Sequence, residues 1–255
     1  MNASPAAARL FSWVGAALFA GSLAYFLFTY AVTFGVTTGG RWSVETLAAD
    51  AALFGVFALH HSVFARERVR AWVGRHASPA IERSVYVWVA SLMLIAVCVW
   101  WKPLPGVAWD VGGGVAWLFR GVQLFGIWLT LRSAAIIDVW ELAGVRQARP
   151  TPSVHPPTPK KEGTASTARE SGVGSFEFRT DGPYGWVRHP IYLGWFLVVF
   201  AMPRMSTTQL LFAVVSSVYI LIAIPLEERS LLHASGGAYD DYRRQVRWKL
   251  IPGIH

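Results

Sequence analysis

The chain has 255 residues, of which 54% are apolar and only 15% are charged, and its formal net charge is +8. A soluble domain of this length needs more charge to cover its surface, so the composition excludes an ordinary soluble protein and favours lipid as the solvent. Basic loops of a membrane protein account for the positive charge, and we therefore expect no nucleic-acid partner. The single cysteine, Cys98, excludes a disulfide framework.

Four segments in the amino-terminal part are apolar and long enough to cross a hydrocarbon core of about 30 Å as helices. These segments cover residues 10–34, 46–65, 84–101 and 115–137. In the first of them, small residues recur at helical spacing, which indicates a stripe on which another helix can pack. The stripe contains Ala16, Ala20, Gly21 and Ala24.

Two further apolar segments, 191–203 and 209–226, are joined by the polar turn 204–208. The first segment is short for an independent span, so we expect a helical hairpin whose first arm is extended by the preceding residues. The sequence therefore predicts an all-α polytopic membrane protein with six embedded helices, the last two of which form this hairpin.

Basic residues are concentrated after the second and fourth segments and at the carboxyl terminus. The positive-inside rule then places both termini in the cytoplasm, and we expect the chain in the inner membrane of a bacterium. The basic run 66–75 is expected to contact anionic membrane lipids. Residues 147–180 are rich in proline, serine and threonine and predict a flexible cytoplasmic insertion. This insertion separates a four-helix region (1–146) from a carboxyl-terminal core (181–255).

A first motif directly follows the insertion, where residues 181–194 read D-G-P-Y-G-W-V-R-H-P-I-Y-L-G. Pro190 suits the first turn of a helix, where its missing N–H is not needed. Backbone N–H groups at that helix end, together with the charge of Arg188, would bind an anion such as the carboxylate of an amino-acid-like ligand. Close approach of the backbone is permitted by the glycines Gly182, Gly185 and Gly194.

A second motif follows the last apolar segment, where residues 227–242 read E-E-R-S-L-L-H-A-S-G-G-A-Y-D-D-Y. Two adjacent carboxylates at the end of a span are costly unless they meet cations or water. Because the hairpin enters and leaves on one membrane face, we expect Glu227 and Glu228 to meet Arg188 and His189 there. Carboxylates hold an ammonium group and tyrosine faces attract a cation, so this pocket suits a zwitterionic sulfonium ligand. The tyrosines concerned are Tyr184, Tyr192, Tyr239 and Tyr242.

The two motifs, R-H-P-x-Y-x-G and E-E-x-x-L-x-x-x-x-G-x-x-Y-x-x-Y, resemble the carboxyl-terminal core of the isoprenylcysteine carboxyl methyltransferase and phospholipid methyltransferase superfamily. The resemblance covers residues 182–252 and implies an S-adenosylmethionine site in the membrane that opens to the cytosol. Arg188, His189 and Glu228 are then the implied catalytic residues, and no metal ion is expected. The implied cofactor-binding residues are Tyr184, Arg188, His189, Pro190, Tyr192, Gly194, Glu227, Glu228, Tyr239 and Tyr242.

The chain departs from the superfamily pattern at one point, because Ala234 and Ser235 stand where aromatic residues often precede Gly236. Upstream blocks are similar to those of the bacterial methanethiol S-methyltransferases. These blocks are residues 59–66, 81–87, 101–111 and 144–147. The resemblance implies methylation of a small thiol, with methanethiol converted to dimethyl sulfide. The group that accepts the thiol proton stays open between His189 and a carboxylate.

Two alternatives to thiol methylation remain. The same chemistry would serve an isoprenylated carboxylate or a lipid amine as the methyl acceptor. A different class of function, a non-catalytic membrane component linked to nitrogen-oxide respiration, is kept because a denitrification-associated family has a similar amino-terminal outline. That second alternative predicts no binding of S-adenosylmethionine.

Four polar residues in the spans need a functional or a structural explanation. His60 and His61 point about 100° apart on a helix, which disfavours a shared metal ion. We expect them to contact the cofactor pocket or Glu82, or to pack at the membrane interface. Asp50 and Arg120 are functional candidates because they lie within spans. Both are within two turns of a helix end, so a structural role is favoured.

Overall fold

The computed structural model describes residues 5–64, 69, 72, 79–137, 145, 180–235 and 237–253. The predicted insertion 147–180 therefore lies, apart from residue 180, outside the described residues, as does most of the basic run 66–75. The helices in chain order are α1 (Pro5–Phe28, continued by a π-helical turn at Thr29–Thr33), α2 (Val44–Phe64), α3 (Pro79–Trp100), α4 (Gly113–Ile137), α5 (Pro190–Phe200), α6 (Thr207–Ala234) and α7 (Ala238–Gln245).

Five of the described helices are long and apolar enough to cross a membrane, namely α1 to α4 and α6. The prediction of a polytopic helical membrane protein is confirmed at this level. The sixth predicted helix, α5, has 11 residues and rises only about 16 Å. It is too short to cross the hydrocarbon core by itself, so a count of six embedded helices stays a prediction.

The predicted extension of the first hairpin arm is wrong. Helix α5 begins at Pro190, and the residues before it form a separate 3-10 turn at Gly182–Gly185. The helix ends at Phe200, and the non-helical residues 201–203 lead from it into a short strand. Pro190 occupies the first turn of α5, as predicted, because its missing N–H costs nothing there.

The prediction of an all-α protein omitted a small two-stranded sheet. Strand β1 (Val107–Asp110) follows α3, and strand β2 (Arg204–Ser206) lies in the segment predicted as a polar turn. The two strands pair antiparallel, with Trp109 opposite Met205. This pairing ties the α3–α4 connection to the hairpin turn and so fixes the amino-terminal end of α6.

An aromatic core surrounds Phe212 on α6, which is fully buried. The rings of Phe26, Phe54 and Trp101 lie 5.2–5.6 Å from that of Phe212, so α1, α2 and the end of α3 meet on α6. Aromatic contacts of this kind add specific geometry to a large buried apolar area. Helix α6 is therefore the helix on which α1, α2 and the end of α3 pack.

The predicted packing stripe of α1 is wrong. Ala20, Gly21 and Ala24 are exposed, and a Cβ added at Gly21 would meet nothing within 4 Å. Helix α1 packs on α3 through a different face. On that face Ser12 shares a hydrogen bond of 2.7 Å with Ser84, and a Cβ at Gly15 would lie 2.8 Å from the indole Nε1 of Trp88.

Asp50 and Arg120, the two functional candidates inside spans, have structural surroundings. Asp50 is buried on α2, and its Oδ1 accepts a hydrogen bond of 3.0 Å from the backbone N–H of Lys102 after α3. Arg120 is exposed and donates to Gln123 one turn further along α4, at 3.1 Å. Neither residue contacts the polar residues of the two sequence motifs.

Candidate active site

The hairpin brings the two sequence motifs together at the carboxyl end of α6. His189 is the N-cap residue of α5 and follows Arg188, whereas Glu227 and Glu228 lie in the last turns of α6. Because α5 and α6 run in opposite directions, the start of one helix meets the end of the other. The predicted convergence of these four residues is therefore seen in the structure, although some forty positions separate the two pairs.

Glu228 is the centre of the buried part of this cluster. Its Oε1 accepts hydrogen bonds from Arg188 Nε at 2.7 Å and from the Tyr239 hydroxyl at 3.1 Å. The imidazole Nε2 of His189 lies 3.2 Å from the same oxygen. Arg188, His189 and Glu228 are each at most 7% exposed. A buried carboxylate is tolerated here because it is paired with a cation and hydrogen-bonded.

Arg188 also anchors the carboxyl-terminal segment 246–249, which sequence reasoning did not include in the site. Its Nη1 donates to the carbonyls of Val246 and Arg247, at 3.0 and 2.7 Å. The backbone N–H groups of Arg188 and His189 donate to the carbonyls of Trp248 and Lys249. These two N–H groups are therefore engaged within the chain, and the anion site expected at the start of α5 stays a prediction.

Glu227 forms the open part of the cluster, with a side chain that is 45% exposed. Its Oε2 accepts a hydrogen bond of 2.8 Å from the Tyr192 hydroxyl and lies 3.9 Å from Nδ1 of His189. The rings of His189 and Tyr192 stack with centroids 5.5 Å apart. The His189 imidazole thus lies between two carboxylates, one buried and one open.

The tyrosines of α7 close the buried side. Tyr239 and Tyr242 are both buried, and the Tyr242 hydroxyl donates to the carbonyl of Tyr184 at 2.8 Å. Burial raises the pKa of Tyr242 to about 12 and that of Tyr239 above its usual range. Burial and the nearby Tyr242 and Glu227 likewise raise the pKa of Tyr184. All three hydroxyls therefore remain protonated, and hence able to donate, at neutral pH.

Gly194 is placed away from the charged groups, on the face of α5 that packs on α4. A Cβ added at Gly194 would collide with Thr130 Oγ1 and would lie 2.8 Å from the carbonyl oxygen of Gly126. A Cβ at Gly126 would in turn lie 2.8 Å from the carbonyl oxygen of Gly194. The backbones of α4 and α5 therefore pack closely at Gly126 and Gly194, which accounts for a glycine at position 194. This packing also positions the start of α5 relative to α4.

A second polar group, absent from the predicted site, adjoins the first. Nδ1 of His61 on α2 lies 2.7 Å from the Tyr86 hydroxyl on α3, and Ser62 Oγ lies 3.1 Å from the Tyr219 hydroxyl on α6. The Tyr192 hydroxyl is close enough to interact electrostatically with Tyr86 and Tyr219. Polar residues on apolar helices were the available sequence signal, but helical periodicity does not reveal which helices are neighbours.

The model of the isoprenylcysteine carboxyl methyltransferase (ICMT) family matches residues 173–233 of the chain. Methanethiol S-methyltransferase 2 of Bradyrhizobium diazoefficiens is 34% identical over 249 residues, which cover 96% of this chain and 90% of that protein. Methanethiol S-methyltransferase of Crocosphaera subtropica is 38% identical, with 83% of this chain and 76% of the relative covered. Its namesake in Mycobacterium tuberculosis is 39% identical over 83% of this chain and 80% of the relative. No solved structure matches the chain.

Proposed function

Because this chain belongs to the methanethiol S-methyltransferase family, we propose that it transfers a methyl group from S-adenosylmethionine to methanethiol and releases dimethyl sulfide. The expected superfamily and the expected methyltransferase class are confirmed by these relatives and by the ICMT match. None of the three relatives is named for a prenylated or lipid substrate, which favours a small thiol over those alternatives. The observation that carries the proposal is the charged cluster at the carboxyl end of α6.

The residues of this cluster fit a zwitterionic sulfonium ligand. Glu227 offers an exposed carboxylate for an ammonium group, and His189 and Tyr192 present stacked rings beside it. S-adenosylmethionine supplies a methyl group that is already activated by a positive sulfur. The chain must therefore hold the two reactants in line and exclude water.

The buried residues have a supporting role in this proposal. Glu228 orients Arg188, His189 and Tyr239 through one oxygen, and Arg188 fixes the segment 246–249. We assign Arg188, Glu228 and Tyr239 as positioning residues for the donor site. Glu227, His189 and Tyr192 are assigned as the groups that contact the ligand. Tyr184 and Tyr242 close the far side, and Pro190 and Gly194 set the start of α5.

The membrane location suits a small volatile thiol, which partitions into lipid. Basic residues follow α6 at the carboxyl terminus, so we place the cluster on the cytoplasmic side of a bacterial inner membrane, with six embedded helices. A green fluorescent protein fused to the carboxyl terminus is then expected to fluoresce. A dark fusion at normal abundance would contradict this orientation.

The proposal is tested with purified protein in lipid nanodiscs. Titration calorimetry is expected to show binding of S-adenosylmethionine, and headspace gas chromatography to show dimethyl sulfide when methanethiol is added. Glu227→Gln should weaken binding of S-adenosylmethionine by about tenfold or more, because a hydrogen bond to a charged group contributes about 1.5–3 kcal/mol. Glu45→Gln, at an exposed carboxylate in the first turn of α2, is the matched control and should bind normally.

Two results would contradict the proposal at different levels. A folded sample that does not bind S-adenosylmethionine would remove the methyltransferase mechanism and favour a non-catalytic membrane component. Binding without dimethyl sulfide would keep the donor site and remove methanethiol as the acceptor.

A further inference from the structure

His61 lies on the packed face of α2 and is nevertheless partly exposed. The buried residues of α2 are Asp50, Phe54 and Ala58, and His61 comes seven residues after Phe54, on the same face of the helix. Its neighbour one turn earlier, Phe57, stacks on the imidazole at 5.9 Å and packs against the aromatic core. Part of the His61 side chain is exposed despite this inward position. The exposed part of the imidazole therefore lies beside the neighbouring helices.

Three other helices border the space beside this imidazole. Tyr86 on α3 contacts His61, and Tyr219 on α6 contacts Ser62, the residue after His61. Tyr192 on α5 interacts electrostatically with both of these tyrosines and donates a hydrogen bond to Glu227. We call the space the inner opening, lined by His61, Tyr86, Tyr192, Tyr219 and Glu227. Its side chains connect His61, through the tyrosines, to the open carboxylate of the donor site.

Arg83 places a positive charge beside the inner opening. Its guanidinium lies 5.0 Å from the centre of the Tyr86 ring, and it interacts electrostatically with His61. Its Nε is buried and has no hydrogen-bond partner among the described residues. A nearby positive charge favours the anionic form of a ligand such as a thiolate. His60 is the other titratable group of α2 that interacts with His61, and the remaining ones facing it are those of the inner opening.

We propose that the inner opening is the methyl-acceptor site and that His61 is the base that deprotonates the thiol. This inference rests on the proposed function. This role requires the tautomer of His61 in which Nδ1–H donates to the Tyr86 oxygen, 2.7 Å away, so that the lone pair of Nε2 accepts the thiol proton. The thiol sulfur then forms a bond to the methyl carbon, and the bond from that carbon to the donor sulfur breaks with its electron pair on the donor sulfur. The imidazolium finally releases its proton to water.

The experiment compares His61→Ala with the wild-type chain in nanodiscs and measures both donor binding and the pH dependence of dimethyl sulfide formation. We expect the dissociation constant for S-adenosylmethionine to change less than twofold. We expect kcat/KM for methanethiol to fall about 10²- to 10⁴-fold at pH 7, as for loss of a general base. The deficit should shrink about tenfold per pH unit as the pH rises towards the pKa of methanethiol, which lies above the value of about 8.5 for a cysteine thiol, because solution then supplies the thiolate.

Two further variants sharpen the comparison. Tyr86→Phe removes the partner of Nδ1 and should lower kcat/KM less than His61→Ala does, without changing donor binding. His233→Ala replaces an exposed histidine near the carboxyl end of α6 and should leave both quantities unchanged.

The outcomes separate this inference from the function on which it rests. A His61→Ala variant with wild-type kcat/KM, with a deficit that is independent of pH, or with lost donor binding would overturn the role of His61 and leave the methyltransferase proposal intact. A wild-type chain that makes no dimethyl sulfide would overturn the proposed function and the acceptor site with it.

Discussion

The two ends of α6 carry polar residues of different kinds. At the amino end, Ser206, Thr207, Thr208 and Gln209 are all buried and uncharged. Ser206 and Gln209 form a capping box, and their side chains also donate to the backbone carbonyls of Phe34 and Tyr30. Thr207 donates to the carbonyl of Gly106 at 2.9 Å. These residues satisfy backbone groups that would otherwise be unpaired in the membrane.

At the carboxyl end, the polar residues are ionised or titratable and bond mainly to one another. Glu228 pairs with Arg188 and His189, whereas Glu227 remains open. Buried charges are costly, so this cluster needs an explanation beyond the closure of a helix end. The comparison assigns a structural role to the amino end and ligand binding to the carboxyl end, and the following variants test that assignment.

The largest effect is expected for Glu228→Gln. The variant leaves Arg188 buried without a full counter-charge, and breaking a buried pair costs about 3–5 kcal/mol. It also weakens the contacts that orient His189 and Tyr239. We expect binding of S-adenosylmethionine to fall more than 100-fold in calorimetry, together with a lower melting temperature. Unchanged binding would show that the ligand site is elsewhere.

A double variant separates stability from binding. Replacing Arg188 by Met and Glu228 by Leu removes both buried charges, which often restores stability. We expect the melting temperature to rise above that of Glu228→Gln while binding stays absent, since His189 has lost the oxygen that orients it. Recovery of binding would limit the ion pair to a stabilising role.

Gly194→Ala is expected to have the next largest effect. The added Cβ collides with Thr130 and with the backbone of Gly126, so α5 must move away from α4 and displace the start of α5 that carries His189. Misplacement of about 1 Å can cost about 100-fold in rate, and we expect kcat/KM for methanethiol to fall at least tenfold. Gly21→Ala is the matched control, because nothing lies within 4 Å of the added Cβ. Equal activity of the two variants would refute the packing role of Gly194.

Gln209→Leu should affect stability and leave function unchanged. The substitution leaves the N–H of Ser206 and the carbonyl of Tyr30 without their side-chain partner, at a cost of about 1–3 kcal/mol for each buried group. A lower melting temperature is expected in a thermal shift assay, with the dissociation constant for S-adenosylmethionine within twofold of the wild type. A large loss of binding in a folded sample would contradict the purely structural role of the amino end of α6.

The smallest effect is expected for Tyr242→Phe. The folded-state pKa of Tyr242 is raised to about 12 from an ordinary value near 10, so its contribution is complete below pH 10 and is lost as the pH rises to 12. The variant loses one hydrogen bond, about 1 kcal/mol, at neutral pH. Its melting temperature should therefore fall less steeply than that of the wild type between pH 10 and 12. Identical slopes would contradict the burial of this hydroxyl.

The sequence predicted those features that depend on local pattern. Apolar length identified the five long helices, and the charge and motif spacing around Pro190 and Glu227 identified the residues that meet at the hairpin. The hairpin itself made the meeting of Arg188 and Glu228 predictable, because two antiparallel arms return to one membrane face. The distance along the chain between the two motifs was therefore enough to predict this contact.

Features that depend on which helices are neighbours were not predicted. The Ala20–Ala24 stripe of α1 had the correct spacing for packing, yet Ser12 and Gly15 on another face contact α3. Strand β1 is four residues long, too short to show a periodicity. The pairing of His61 with Tyr86 and the docking of residues 246–249 on Arg188 join distant segments, for which one sequence gives no spacing rule.

Hydrogen–deuterium exchange with and without S-adenosylmethionine tests the central assignment most directly. Ligand binding at the carboxyl end of α6 predicts slower exchange in peptides that cover residues 182–192 and 227–246, with no change in residues 204–212. The same experiment on Glu228→Gln should show no ligand-dependent protection. Protection of residues 204–212, with unchanged exchange at the carboxyl end, would contradict the account.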